Sequence, residues 1–388
     1  MWYEKAKPFV ESGELAILGV VQEQHAERTL LYRQWKQFEF PIVQDATTSL
    51  NLAVVPIPIL IDQHGIVRKT RARPNDLSKF IKQEFEKDAA EPPKRNRSEL
   101  SRLATADRIE LATIQIEKGN QLLHRIGPKK SQDIEAAIGC FSKALKADPD
   151  NGKAMFSLGV AHRMRFDSSD SKSQDFEAAS RNWSNALAAN PNQYIWRRRI
   201  QQYGPRLGKP YPFYDWVDDA IAEIKKRGDT PVKLAVSLTG TEIAGPVRTF
   251  TAADSAKNPD PDAKILQADP GLIDLATSIV PAKVKPGATL RVHLHIKTLK
   301  GKWNDEAGPM SVWIGKSSTG TPEKRLIEFS TQPGADSRSM KNLDFEFQTN
   351  DGAEESEVEG FVLFHFCDEQ GVCFYYRENF KVKIPTEK

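Results

Sequence analysis

Two cysteines with five residues between them, Cys367 and Cys373, lie in the stretch FHFCDEQGVCFYYRENF that begins at Phe364. The apolar and aromatic runs on either side read as two strands, and the connection carries Gly371, a residue suited to positive φ. Such a hairpin would hold the two α-carbons about 5.5 Å apart, within disulfide reach. Three uses are open to the pair: a structural staple, a reversible thiol:disulfide couple, or a metal clamp. A bridge closing so short a loop stabilises less than one closing a long loop, which favours a reversible bond. Exchange chemistry further requires an accessible thiolate. The metal use draws on His293 and His295, two apart on an expected strand, and on His365, two before Cys367. Each pair faces one side of its sheet, and imidazole with thiolate would suit copper or zinc if the two strands are neighbours. The third cysteine, Cys140, sits beside Phe141 on a helical pattern and reads as a small buried hydrophobe.

The rest of the composition narrows the field. The chain has 388 residues, long enough for two or three domains, and 39% hydrophobic with 28% charged residues supports real cores. A formal charge of +3 with basic residues scattered, apart from short clusters at 94–97 and 197–199, gives no nucleic-acid face. The longest apolar run, 52–61, contains Pro56 and Pro58 and is too short to span a bilayer, so no transmembrane segment is expected. Met1 is not followed by a charged and then an apolar region, so the sequence carries no signal peptide. Phosphate-loop, dinucleotide-fingerprint, nucleophile-elbow and zinc-protease motifs are missing, and no cofactor is expected.

Three periodicities succeed one another along the chain, predicting a multidomain α/β, α and β protein. Residues 1–87 alternate helix at 2–10, strand at 15–21, helix at 26–38, strand at 57–61, strand at 66–69 and helix at 74–85, an α/β layer. A linker is expected at 88–104, most of it in the charged, proline-bearing EKDAAEPPKRNRSEL of residues 86–100. Over 105–228 a repeat is visible: Ala137, Phe141, Ala144 and Pro149 recur at identical offsets as Ala179, Trp183, Ala186 and Pro191. From 229 to 388 the pattern becomes period two, with strands expected at 232–238, 290–297, 310–314, 325–329, 343–348, 358–368 and 372–384, an antiparallel β-sandwich.

Family resemblances attach to each part. FPIVQDATTSLNLAVVPIPILIDQHGIVR resembles the second half of a thioredoxin fold of the thiol-reductase and peroxiredoxin type, with Pro56 six residues before Asp62 and Gly65 in the following turn. The resemblance implies that Val55-Pro56 is cis and faces an active site. It also implies a preceding strand and a Cys-x-x-Cys that this sequence does not show, since it opens at MWYEKAKPFV inside the first helix. The domain is therefore expected to be N-terminally incomplete or a noncatalytic platform. The repeat resembles tetratricopeptide helix pairs, in which small residues permit close packing; Leu158 and Gly159 match, and the excess over the usual length of about 34 residues falls in FDSSDSKSQ. That resemblance implies a groove for a peptide or protein partner. CDEQGVC resembles the Cys-Ala-Asp-x-Gly-x-Cys signature of the immunoglobulin-like N-terminal domain of DsbD-type thiol:disulfide interchange proteins, with Cys367, Gly371 and Cys373 matching and Glu369 at the aspartate position. It implies catalytic roles for Cys367 and Cys373, protein thiols and disulfides as partners, and a periplasmic location. The competing expectation is a noncatalytic interaction scaffold with a structural disulfide.

Overall fold

The structure is a computed structural model that describes residues 2–50, 56–86, 104–125, 129–206, 216–234, 236, 238, 250, 256–329, 340–352 and 355–387. In chain order the helices are α1 (Trp2–Glu11), α2 (Ala26–Lys36), α3 (Leu77–Ile81), α4 (Ala104–His124), α5 (Lys130–Ala147), α6 (Gly152–Phe166), α7 (Asp175–Ala189), α8 (Tyr194–Gln201) and α9 (Trp216–Lys226). The strands are β1 (Gly19–Val21), β2 (Ile42–Gln44), β3 (Ile59–Ile61), β4 (Val67–Thr70), β5 (Leu266–Gln267), β6 (Ile273–Val280), β7 (Thr289–Thr298), β8 (Lys302–Trp303), β9 (Met310–Ile314), β10 (Gly320–Pro322), β11 (Leu326–Phe329), β12 (Lys341–Thr349), β13 (Glu355–Cys367) and β14 (Cys373–Pro385). The chain is thus a mixed α/β protein, and it divides into two compact units. Unit 1 is Met1–Val160, Ala189–Arg197 and Val217–Ser237; unit 2 is Ala161–Ala188, Arg198–Trp216 and Leu238–Lys388.

In unit 1, β1 pairs in parallel with β2, and β3 pairs antiparallel with β4, as two separate two-stranded sheets. The hairpin between β3 and β4 is organised by Asp62, whose carboxylate accepts from the His64 and Ile66 N–H groups and from the Arg68 guanidinium at 2.6 Å. Burial works to raise the Asp62 pKa, but the Ile66 N–H, Arg68 and the His64 N–H together hold it below the ordinary carboxylate value. Ala6 of α1 packs with Leu60, Ala72 and Leu77, flanked by Trp2, Phe9, Leu15, Ile17 and Phe80. The strand expected at 15–21 is confined to its last three residues, because Leu15 and Ile17 pack into this cluster ahead of the paired segment. The helix expected at 74–85 is a 3-10 turn at Pro74–Asp76 followed by the short α3. The helix α4 approaches α5 through Gly119, where a Cβ would lie 2.5 Å from the Phe141 ring. Ala137, Cys140, Phe141 and Ala144 of α5 are all buried.

Unit 2 places two sheets against one core. One sheet has the order β10-β12-β7-β6; the other has β11-β9-β13-β14-β5, with β8 beside β13. Leu290, Val292, Leu294 and Ile296 of β7 and Leu343, Phe345 and Phe347 of β12 face Val362, Phe364 and Phe366 of β13 and Phe380, Val382 and Ile384 of β14 in a single buried cluster. The alternation of these core-facing residues is what period two requires of strands that turn one face to an opposing sheet. The strand expected at 232–238 is absent at 232–234, 236 and 238, and residues 235 and 237 lie outside the described residues.

The opposite face of β7 carries Arg291, His293 and His295, all buried, and here the helical segment docks. The ring of Phe166 lies 4.8 Å from that of His295, and Phe176 of α7 lies 4.7 Å from His293 and 4.4 Å from His295. Lys297 donates to the Ser171 carbonyl at 2.9 Å. Phe166 at the end of α6 and Phe176 of α7 thus pack on this face of β7, and burying each contributes roughly 1.5–3 kcal/mol.

Candidate functional site

The strands β13 and β14 form a long antiparallel hairpin in which Cys367 stands directly opposite Cys373. Its turn is held by the Asp368 N–H to the Val372 carbonyl at 3.0 Å and the Gly371 N–H to the Asp368 carbonyl at 3.1 Å. The Val372 N–H donates to the Asp368 carboxylate at 2.8 Å, and Gly371 takes φ +84°. The cysteines are joined in a disulfide, S–S 1.97 Å, with α-carbons 3.9 Å apart rather than the expected 5.5 Å. The closer spacing follows from the ladder: the turn hydrogen bonds join Asp368 to Val372, so the next pair out is a non-hydrogen-bonded one, whose α-carbons approach more closely.

The two sulfurs occupy unlike surroundings. Cys367 is 4% exposed, whereas Cys373 is exposed and neighboured by Val372, Phe374 and Tyr375, exposed to 50%, 43% and 37%. Because Phe364 and Phe366 point into the core, the alternate residues His365 and Cys367 point to the outer face. There the His365 ring lies 4.4 Å from that of Tyr375, tilted by 31°. Burial raises the Tyr375 pKa, opposed by its hydrogen bond with Ser311 and reinforced by Asp260 and Glu328.

A third strand completes the site, and sequence reading missed it. The two-residue β8 lies against β13, with Trp303 opposite Phe366 and Lys302 opposite Cys367. Trp303 is buried in the core, edge-on to Phe364 and Phe366 at 5.4 and 5.3 Å, which leaves Lys302 on the outer face beside the disulfide. Close approach depends on Gly301: it sits at φ +82°, and a Cβ there would meet the Cys367 carbonyl oxygen at 2.4 Å and the Phe366 ring at 2.7 Å. Two residues are too few for a periodicity signal; the one legible clue is the glycine before an apolar tryptophan.

The histidines do not join the cysteines. β7 belongs to one sheet and β13 to the other, so His293 and His295 lie on one outer face of the sandwich and His365 and Cys367 on the opposite one, with the core between. The condition for the metal clamp, neighbouring strands, is not met, and no group of three or more His, Cys, Asp or Glu side chains able to hold a metal occurs among the described residues. His293 donates through Nε2 to the Tyr203 carbonyl at 2.8 Å, and His295 Nδ1 bonds Asn342 Oδ1 at 2.9 Å. Burial lowers the pKa of both to about 3; Arg291 and Arg163 add to it for His293, and His293 and Arg163 for His295. The Val55-Pro56 bond lies outside the described residues, and Pro56 itself is exposed.

Among the described residues no helix is long and apolar enough to cross a membrane. No family model matches the chain, and no curated protein matches it. Solved structures that match include the sporulation control protein Spo0M of Bacillus subtilis, at 15% identity and TM-score 0.16, over 30% of this chain and 50% of that one. This chain thus spans half the length of Spo0M. Another is the alkylpurine DNA glycosylase AlkC of Pseudomonas fluorescens bound to DNA containing an abasic site analog, at 10% identity and TM-score 0.17, over 74% of each chain. Likenesses this slight carry neither a fold nor a function to the present chain.

Proposed function

We propose that the protein is a thiol:disulfide exchange factor acting through Cys367 and Cys373. The observation that carries this reading is the asymmetry of the pair: Cys373 is an exposed residue and Cys367 a buried one. In the reduced protein the Cys373 thiolate attacks a partner disulfide, forming a mixed disulfide and releasing the partner's other sulfur as thiolate. The Cys367 thiolate then attacks Cys373 Sγ, closes the intramolecular bond and releases the partner's second thiolate. Two electrons pass from the pair to the partner. The remaining parts are read in the same light. The sandwich is taken as immunoglobulin-like in the DsbD manner, the helices α5 to α8 as tetratricopeptide-like elements that receive a protein partner, and the unit 1 α/β elements as thioredoxin-like. A periplasmic setting would keep such a couple in use.

The competing reading, a scaffold with a structural disulfide, draws on the burial of Cys367. Equilibration of the full chain in glutathione buffers, with alkylation to trap free thiols, separates the two. Exchange predicts a potential above about −300 mV, and a bond that stays oxidised throughout the buffer range refutes it.

A further inference from the structure

On the outer face, register aligns Lys302 of β8, Cys367 of β13 and Cys373 of β14 in one row across three strands. Directly opposed residues hold their Cβ atoms about 4.5–5.5 Å apart, so the Lys302 chain starts beside that of Cys367 and has the reach to bring its ammonium to the sulfur. The placement is constructed rather than incidental. Trp303 anchors β8 in the core, and the Asn304 N–H donates to the His365 carbonyl at 2.9 Å. Gly301 permits the approach that any side chain would block.

Resting on the exchange reading, we infer that Lys302 is the electrostatic partner of Cys367, stabilising it as the thiolate that leaves when the disulfide is opened. An incoming thiolate forms a bond to the exposed Cys373 Sγ, the Cys367–Cys373 bond breaks, and its electron pair remains on Cys367 as negative charge. That charge develops at a buried sulfur, where water compensates it poorly and a neighbouring ammonium compensates it well. A better-stabilised leaving thiolate departs faster and makes the disulfide easier to reduce.

The test uses the full chain and dithiothreitol, comparing the unsubstituted protein with Lys302→Gln and Lys302→Arg. At low ionic strength Lys302→Gln is expected to slow opening about threefold and to move the equilibrium with dithiothreitol about threefold toward the protein disulfide. Lys302→Arg is expected to restore both, and both differences to shrink at about 1 M salt, where screening acts over about 3 Å. A merely structural lysine would move neither the equilibrium nor its salt dependence. Equal rates and equilibria in the three proteins overturn the inference, as does an equal loss in Lys302→Arg. Should Lys302→Gln not fold, the salt dependence of the unsubstituted equilibrium decides: its absence overturns the inference. Dithiothreitol opens the bond whether or not a protein partner exchanges with it. A lysine effect without partner exchange would therefore refute only the functional reading.

Discussion

Acidification should destabilise unit 2 through two buried imidazoles well before its carboxylates titrate. His293 and His295 are each 4% exposed, with Phe176 against both and Phe166 against His295, and their pKa values fall from 6.5 to about 3. Arg291 on β7 and Arg163 on α6 face the pair as positive charges, and Asp344 on β12 partly offsets them. The folded pKa lies below the unfolded one, so the unfolded chain binds more protons between about pH 3 and 6.5. The stabilisation from neutral burial is complete above pH 6.5 and is lost as pH falls toward 3. Between pH 7 and pH 5 each histidine should cost about 2 kcal/mol, and the pair about 4 kcal/mol, a large share of the stability of a typical domain. Urea unfolding followed by tryptophan fluorescence at both pH values measures the loss. His293→Gln and His295→Gln each remove packing, so the informative quantity is the change with pH, which each single variant should halve and the double variant nearly abolish. An undiminished pH dependence in the double variant, or an imidazole of this pair titrating above pH 6 by NMR, would refute the argument.

Other consequences are as concrete. Cys367→Ser, which keeps the exposed sulfur, should accumulate a mixed disulfide with glutathione at least about tenfold faster than Cys373→Ser, as read by mass spectrometry, because the remaining thiol of the latter is buried. Gly301→Ala should strain the positive φ and drive β8 from the Cys367 carbonyl, costing about 2 kcal/mol or more in a denaturation curve. Gly119→Ala, which in an open helix would add up to about 1 kcal/mol, should instead destabilise by about 1–3 kcal/mol, since Phe141 is fully buried and its ring stands 2.5 Å from the new methyl. Burial raises the Asp175 pKa, but His162, Arg165 and the Lys172 N–H bring it down to about 2, so its contribution is present above the ordinary value of 3.8 and lost as pH falls toward 2. Asp175→Ala leaves Arg165 buried without that carboxylate and should cost about 3–5 kcal/mol at pH 7 by urea unfolding.

What the sequence determined by itself was local. The strands around Leu290, Met310, Leu343, Phe364 and Phe380 were legible because period two needs only a few residues of alternation to declare a covered face. The buried sides of α5 and α7 were legible because Ala137, Phe141 and Ala144 recur as Ala179, Trp183 and Ala186 at helical spacing. The cysteine hairpin could be read because its partners are six residues apart, and a turn with Gly371 leaves little freedom of register. Tertiary structure alone decided what these elements meet. Nothing in the spacing of His293 and His295 says that the other face of β7 is filled by Phe166 and Phe176, so the same pair that could have bound metal became a buried, neutral support for a helix. Sheet order put His365 on the far side of the core from them, and burial made Cys367 and Cys373 unequal although their flanking residues are alike. Lys302 is the clearest case: a single charged residue in a two-residue strand carries no sequence signal, and it stands beside the disulfide because Trp303 is drawn into the core and Gly301 lets two backbones close to contact.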